Sequence, residues 1–200
     1  MTLLTIAQGL ARNVGMQVPT SVVGSNMREW QEALQFANEV GEELSRRVDW
    51  GALQATATLT GDGTNKVHAL PAGFSRLSKG VAIRAGVAIV RPLTRAEWNA
   101  LTPVEGTPRY FLLEGNEVTL WPFLANAATA TASYQSDLWT SAGSSAFTVD
   151  TQTSLIDEDL FLKGLIVRWR TQKGMDVAGY EQEFEATLAD YASFNDRGRF

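Results

Sequence analysis

The segment spanning residues 154–174, here called the C-terminal apolar helix, limits the possible folds more than any other part of the chain. Its apolar side chains lie almost all the way round the predicted helix: Ile156, Leu160, Phe161, Leu162, Leu165, Ile166, Val167 and Trp169. A surface helix in a monomer usually has one apolar stripe and one polar face, so this helix lies at the centre of a bundle or between subunits. We expect neighbouring copies of the chain to complete its cover, because an isolated small bundle would not bury so much apolar circumference.

Periodicity predicts three further helices, two near the N-terminus and one at the C-terminal end. The first follows a cap at Thr2, and the second starts near Asn26, with Glu29 in the pattern of a capping box. Ser154 is the predicted cap of the C-terminal apolar helix. The last helix begins at Asp176.

Between residues 53 and 153 the period of the apolar residues changes from about 3.6 to about 2, which predicts β-strands. Three hairpins are expected, with turns at residues 61–64, 84–86 and 114–117. A short helix capped by Thr94 and Glu97 interrupts this region. The predicted strands are residues 53–60, 66–70, 81–83, 87–90, 109–113, 118–121 and 129–134.

These patterns together predict an α+β fold with two domains. Residues 1–52 and 154–200 form a helical bundle domain, and residues 53–153 form an inserted antiparallel β domain. With 200 residues and 44% apolar content, the chain is long enough to bury a core for this arrangement.

The composition excludes several kinds of chemistry. The chain has no cysteine, which removes thiol catalysis and cysteine-based zinc sites, and its single histidine, His68, falls in a predicted strand. No glycine cluster has the lysine of a phosphate-binding loop. The sequence therefore predicts no catalytic residues, no cofactor and no metal.

The charge of the chain and its hydropathy limit the possible partners. A net charge of −5 argues against a protein that grips nucleic acid through a broad basic surface, although it is compatible with DNA sliding past. No uncharged apolar stretch approaches the length that spans a membrane, and the N-terminus lacks a signal-peptide pattern. We expect a soluble protein, made in the cytosol, with no membrane partner.

Tryptophan and carboxylate residues in the β region leave one alternative function open. Trp121 and Trp139 lie near the ends of predicted elements, where an exposed indole can stack on a sugar. Glu114 and Glu117 flank a hairpin turn, in the kind of pair that a glycosidase uses. The alternative is therefore a peptidoglycan-active or glycan-binding module.

Opposite charges at the two ends of the C-terminal apolar helix have two interpretations. Asp157, Glu158 and Asp159 lie in its first turn, and Arg168, Arg170 and Lys173 lie near its end. Both placements suit the helix dipole, and they would also suit a head-to-tail contact in which one copy presents its acidic end to the basic end of the next. The candidate subunit-interface residues are Asp157, Glu158, Asp159, Phe161, Arg168, Trp169, Arg170 and Lys173.

The order of these features resembles that of the head-to-tail connector, or adaptor, proteins of tailed bacteriophages, over most of the chain. A capped pair of helices is followed by four segments: Leu70-Pro-Ala-Gly-Phe-Ser-Arg-Leu77, Arg91-Pro-Leu-Thr-Arg-Ala-Glu-Trp-Asn-Ala-Leu101, Tyr110-Phe to Leu120-Trp-Pro122, and Ile156-Asp-Glu-Asp to Val167-Arg-Trp-Arg with Lys173-Gly.

The resemblance implies a structural protein of the virion neck, assembled in the host cytoplasm. Its copies would form a dodecameric ring beneath the portal protein, extend the channel for passing double-stranded DNA without sequence-specific binding, and hold a tail or nozzle protein. A head-completion or tail-completion protein at another level of the neck is a related possibility.

Contact residues can be suggested for the two partners that the resemblance implies. Trp121 and Trp139, which lie near the ends of predicted elements, are the tail-contact candidates. The tail after Tyr191 is short for this family, so the loops at residues 17–25 and 141–146 would share the portal contact. The portal-contact candidates are Phe194, Asn195, Asp196, Arg197, Arg199 and Phe200.

Overall fold

The structure, a computed structural model, describes the backbone of residues 2–197 and the side chains of residues 2–194. This part of the chain is an α+β protein. Its α-helices are α1 (Leu3–Val14), α2 (Arg28–Arg47), α3 (Arg95–Trp98), α4 (Glu158–Gln172) and α5 (Ala178–Arg197). Its strands are β1 (Gln54–Thr60), β2 (Val67–Ala69), β3 (Phe74–Leu77), β4 (Ile83–Ala85), β5 (Ala88–Pro92), β6 (Tyr110–Glu114), β7 (Glu117–Trp121) and β8 (Thr129–Ser136).

The chain divides into two compact units, which we call the helical unit and the β unit. The helical unit contains residues 1–53 and 137–200, and the β unit contains residues 54–136. Sequence periodicity placed the second boundary at residue 153 instead. The segment 137–153 belongs to the helical unit because its backbone bonds there: Phe147 N donates to Asn38 Oδ1 at 2.7 Å, and Leu3 N donates to the Gln152 carbonyl at 2.8 Å.

In the helical unit, α4 is the central element and packs against α1, α2 and α5. Its side chains at Leu160, Phe161 and Leu165 are at most 1% exposed. The expectation that a neighbouring copy must cover this helix is therefore wrong, because the chain covers the helix itself. The segment 137–153 supplies part of that cover, since Trp139 and Phe147 both contact the ring of Phe161.

Local chemistry sets the helix ends, with two corrections to the predicted caps. Thr2 caps α1 as predicted, through a bond from Thr5 N to its hydroxyl. The second helix begins after Met27, which makes no side-chain cap, so the predicted cap at Asn26 is wrong. Asp157, and not Ser154, caps α4, because its carboxylate accepts from two amides of the first turn.

The β unit is a mixed eight-stranded sheet with the order β1-β8-β4-β5-β6-β7-β2, in which β3 pairs separately with β8. The hairpins β4–β5 and β6–β7 are confirmed, with tight turns that place Gly86 and Gly115 at positive φ. Strands β5 and β6 pair in parallel, so the prediction of a purely antiparallel domain is wrong.

The predicted hairpin between the first two strands does not form. Strand β1 pairs with β8 and β2 pairs with β7, both antiparallel. Two local contacts explain the difference. The Asp62 carboxylate accepts from Thr64 N and Asn65 N, and this turn directs the chain away from β1. Gly61, just after β1, bonds to the backbone of residues 127 and 128, just before β8, and so extends the pairing of β1 with β8.

Candidate functional site

The acidic end of α4 is bonded within its own unit. Asp157 accepts from Asp159 N at 3.1 Å and from Leu160 N at 3.0 Å, and its carboxylate raises the pKa of Tyr191 to about 12. Asp159 pairs with Lys163 at 2.9 Å, and this pairing raises the pKa of the lysine. The two aspartates therefore stabilise the start of the helix and its contact with α5.

The basic end of α4 also finds partners in the same chain. Arg168 Nε donates to Glu39 of α2 at 2.9 Å and lowers the pKa of that glutamate. Lys173 pairs with Glu32 of α2, and its ammonium lies 4.8 Å from the ring centre of Trp169. The predicted acidic and basic residues thus have intrachain partners.

Arg170 has a different kind of partner. Its guanidinium lies 4.0 Å from the ring centre of Tyr180 and donates to the Tyr180 hydroxyl and the Asp176 carbonyl. These contacts tie the end of α4 to the start of α5. A contact of this end with a second copy stays a prediction.

Two of the interface candidates lie in the core and present no surface to a neighbour. Phe161 is 0% exposed and Trp169 is 4% exposed. The ring of Trp169 contacts the edge of Phe36 on α2. Sequence periodicity showed that both side chains need cover, but it could not show that the cover comes from the same chain.

The last helix has an exposed aromatic residue near its described end. Of the side chains that the structure describes in α5, only Phe184 and Leu188 are buried, whereas Phe194 is 69% exposed. The side chains of the other portal-contact candidates, Asn195, Asp196, Arg197, Arg199 and Phe200, lie outside the described residues.

The two tail-contact candidates have different environments. Trp139 is 0% exposed and packs against α2 at Gly41, so the prediction that its indole lies at the surface is wrong. Trp121 is half-buried; its indole donates to the Thr102 carbonyl at 2.7 Å, and its ring contacts Tyr110. Part of Trp121 is accessible, and its contact with a tail protein stays a prediction.

No arrangement in the described residues favours the glycan hypothesis. Glu114 and Glu117 are cross-strand partners beside the β6–β7 turn, and Glu114 pairs with Arg95 at 2.7 Å. One of the two carboxylates is thus bonded to a neighbouring side chain, and one of the two proposed sugar platforms, Trp139, is buried. Within the described residues there is also no group of three metal-ligating side chains.

A polar anchor that the sequence patterns did not predict joins the loop at residues 17–25 to the segment 137–153. Asp150 accepts from the Ser21 hydroxyl at 2.6 Å, from Val23 N at 2.8 Å and from Val22 N at 3.1 Å. Burial alone would raise the pKa of Asp150, but these hydrogen bonds hold it below its ordinary value. The anchor holds the loop at residues 17–25 in place, and the only sequence signal for it was a lone acidic residue in a turn.

The candidate residues that the structure describes mostly have structural roles, in a helix cap, in ion pairs and in core packing. The comparison with protein families agrees. The SU10 adaptor protein family matches residues 1–199, and the chain belongs to that family. No curated protein matches the chain.

Membership of this family makes the chain an adaptor-type structural protein of a bacteriophage and a component of the virion, in contact with other virion proteins. Among the residues that the structure describes, no helix has the length and apolar character needed to cross a membrane.

Proposed function

We propose that this protein is the head-to-tail adaptor of a tailed phage: a ring of copies, dodecameric as the family resemblance implies, that binds beneath the portal. The ring continues the DNA channel and carries a tail or nozzle protein below it. The observation that carries this proposal is the family match over residues 1–199 of the 200-residue chain.

The properties of the chain support this function. A net charge of −5 disfavours adhesion of DNA phosphates to the channel wall, so double-stranded DNA can pass without sequence-specific binding. A ring multiplies modest contacts between copies, so it does not need a large apolar surface on each one. This matters because the apolar side chains of the central helix, α4, are already largely covered within one chain.

Phe194 and the residues after it are the proposed portal contact. The exposed ring of Phe194 at the end of α5 is an apolar side chain that a partner can bury. The anchored loop at residues 17–25 is a second candidate. Trp121 remains the proposed contact for the tail protein, and the charged ends of α4 remain the proposed contact between copies.

Native mass spectrometry with and without the portal protein tests the proposal. We expect a high-order complex of this chain that forms either alone or when portal is added. A Phe194→Ala variant should bind portal more weakly, whereas a Val87→Ala variant, which removes an exposed apolar side chain of the β unit, should bind normally. If the chain shows no complex with portal or with itself in either condition, the proposed function is wrong.

A further inference from the structure

The two edges of the sheet in the β unit are protected to different degrees. Edge strand β2 has only three residues, follows Lys66 and leads into Pro71, and all three features discourage pairing with another strand. Edge strand β1 has seven residues, Gln-Ala-Thr-Ala-Thr-Leu-Thr, with no charge and no proline, and it pairs with β8 without a register shift. A long, regular, uncharged edge is a template for another strand.

The register of β1 shows which backbone groups face outward. Gly61 N donates to the Ala128 carbonyl, and the register continues through Leu59↔Ala130 and Ala57↔Ala132. In an antiparallel pair the hydrogen-bonded positions alternate, so the odd-numbered residues of β1 bond to β8. The amides and carbonyls of Gln54, Thr56, Thr58 and Thr60 therefore point away from β8, and among the described strands β1 pairs with β8 alone.

We propose that β1 of one copy pairs antiparallel with β1 of a second copy, so that two sheets join into one across a two-fold axis. Full overlap of the seven residues places Thr56 opposite Thr58 and Gln54 opposite Thr60, all with outward-facing backbone groups. Ala57 falls on the axis, where its small side chain leaves room for its own copy. The register forms roughly eight backbone hydrogen bonds.

The sequence of β1 favours a second copy over the other occupants. No charged residue lies in the strand, so self-pairing opposes no like charges, and threonine pairs across strands are favourable. The β2 edge of another copy is a poor partner because of its length and its flanking Lys66 and Pro71. The pairing uses the same surface twice across a two-fold axis, which a head-to-tail ring of identically oriented copies does not contain. It therefore belongs to copies outside the proposed ring, and its failure leaves the proposed function untouched.

Proline substitution at an outward-facing position tests the pairing. Thr56→Pro removes an amide that β8 does not use, so the β unit should still fold, since proline is tolerated at such edge positions. We expect wild-type protein to form dimers in sedimentation equilibrium, and Thr56→Pro to self-associate at least about tenfold more weakly, because each copy loses one backbone donor.

A matched pair of lysine variants distinguishes the strand edge from the sheet face. Thr58 and Thr131 are cross-strand partners, and both are exposed, but only Thr58 lies on the free edge. In the proposed register the two introduced lysines of Thr58→Lys lie diagonally across the pairing, so their like charges should weaken the dimer, whereas Thr131→Lys, one strand further from the axis, should retain it. Hydrogen exchange at the amides of Thr56 and Thr58 should also slow as protein concentration rises.

Four results would overturn this pairing. They are a wild-type chain that stays monomeric at high concentration, a dimer that survives Thr56→Pro, a dimer lost equally in Thr131→Lys, and edge amides whose exchange does not depend on concentration. None of these results bears on portal binding, so the pairing and the proposed function stand or fall separately.

Discussion

At the scale of single residues, Gly41 of α2 shows how a missing side chain can position a large one. A Cβ atom at this position would lie 2.3 Å from the ring of Trp139. That ring is held on its other sides by Phe147 and Phe161, whose ring centres lie 4.8 and 5.6 Å from it. The helix can therefore contact the indole closely only because residue 41 is glycine.

We expect Gly41→Ala to lower the free energy of unfolding of the helical unit by about 1–3 kcal/mol, the usual cost of overpacking a core. Urea denaturation followed by tryptophan fluorescence measures the change. Gly179→Ala is the control, because a Cβ atom on this helical glycine would meet no other atom within 4 Å, and the substitution should be neutral or stabilising by up to about 1 kcal/mol. Equal destabilisation by both variants would contradict the role of Gly41.

Asp150 is the second residue with a distinct energetic role. Its folded pKa lies below the ordinary value, so the stability that it contributes is present at neutral pH and is lost as the pH falls through its folded pKa. Removal of the carboxylate leaves the Val22 and Val23 amides without their acceptor.

We expect Asp150→Ala to cost about 1–3 kcal/mol at neutral pH, because partly buried donors lose their partner. The difference from wild type should shrink in acid, where the wild-type carboxyl is also protonated. Unfolding by urea at neutral and acidic pH measures both effects. Asp190→Ala, at an exposed position of α5, is the control, and a difference that does not depend on pH would show that the charge of Asp150 is unimportant.

At the scale of elements, α5 is the least buried of the long helices. Phe184 contacts the helix surface at Gly164, and Leu188 is the other buried residue among the described side chains of α5. Polar contacts supplement them, since Glu185 pairs with Arg47 at 2.6 Å and Glu183 with Lys163 at 3.1 Å. A helix held by so little apolar surface opens locally before the rest of its unit.

We expect hydrogen exchange to be faster in α5 than in α1, α2 or α4. Phe184→Ala should accelerate it strongly, because removing a buried phenylalanine costs about 3 kcal/mol or more. Glu185→Gln, at the next position, should change it little, because a partly exposed ion pair contributes only about 0.2–1 kcal/mol. Hydrogen exchange in α5 that is as slow as in α4, or equal effects of the two variants, would contradict the claim that α5 is held mainly by Phe184 and opens first.

Elements whose determinants are local were predicted well. The caps at Thr2 and Thr94, and the hairpins whose turns contain Gly86 and Gly115, depend on residues within a few positions of one another. The predicted cap at Ser154 was wrong because Asp157, three residues later, offers a carboxylate at the position where the helical backbone begins. Strand β3 was missed because its four residues show no clear alternation.

At the scale of the whole molecule, the helical unit has a complete core within one chain. Four of the six tryptophans lie in it, at positions 30, 50, 139 and 169, and all four are buried. Oligomerisation is therefore not required for this unit to fold.

We expect the helical unit to unfold cooperatively in urea, followed by tryptophan fluorescence, at protein concentrations low enough for the chain to be monomeric. The measurement is made in the Thr56→Pro background, so that pairing through β1 does not contribute. A helical unit that is already unfolded in the monomer without urea would show that copies of the chain complete its core after all.

The candidate site was predictable only in part. The sequence placed charges at both ends of α4 and an aromatic residue near the end of α5, and the structure describes all of these positions up to Phe194. The sequence could not show that Arg168 and Lys173 have partners on α2, since Glu39 and Glu32 lie more than a hundred residues earlier.

The amino-acid sequence by itself determined the α+β class, the positions of most helices and strands, and the hairpins with tight turns, because period, capping and turn conformation arise from neighbours along the chain. Tertiary structure alone decided what covers α4, which strand pairs with β1, and how Asp150 holds a loop 129 residues away. Apolar burial has no direction, so a sequence shows that a surface needs cover, whereas only the folded chain shows which residues supply it.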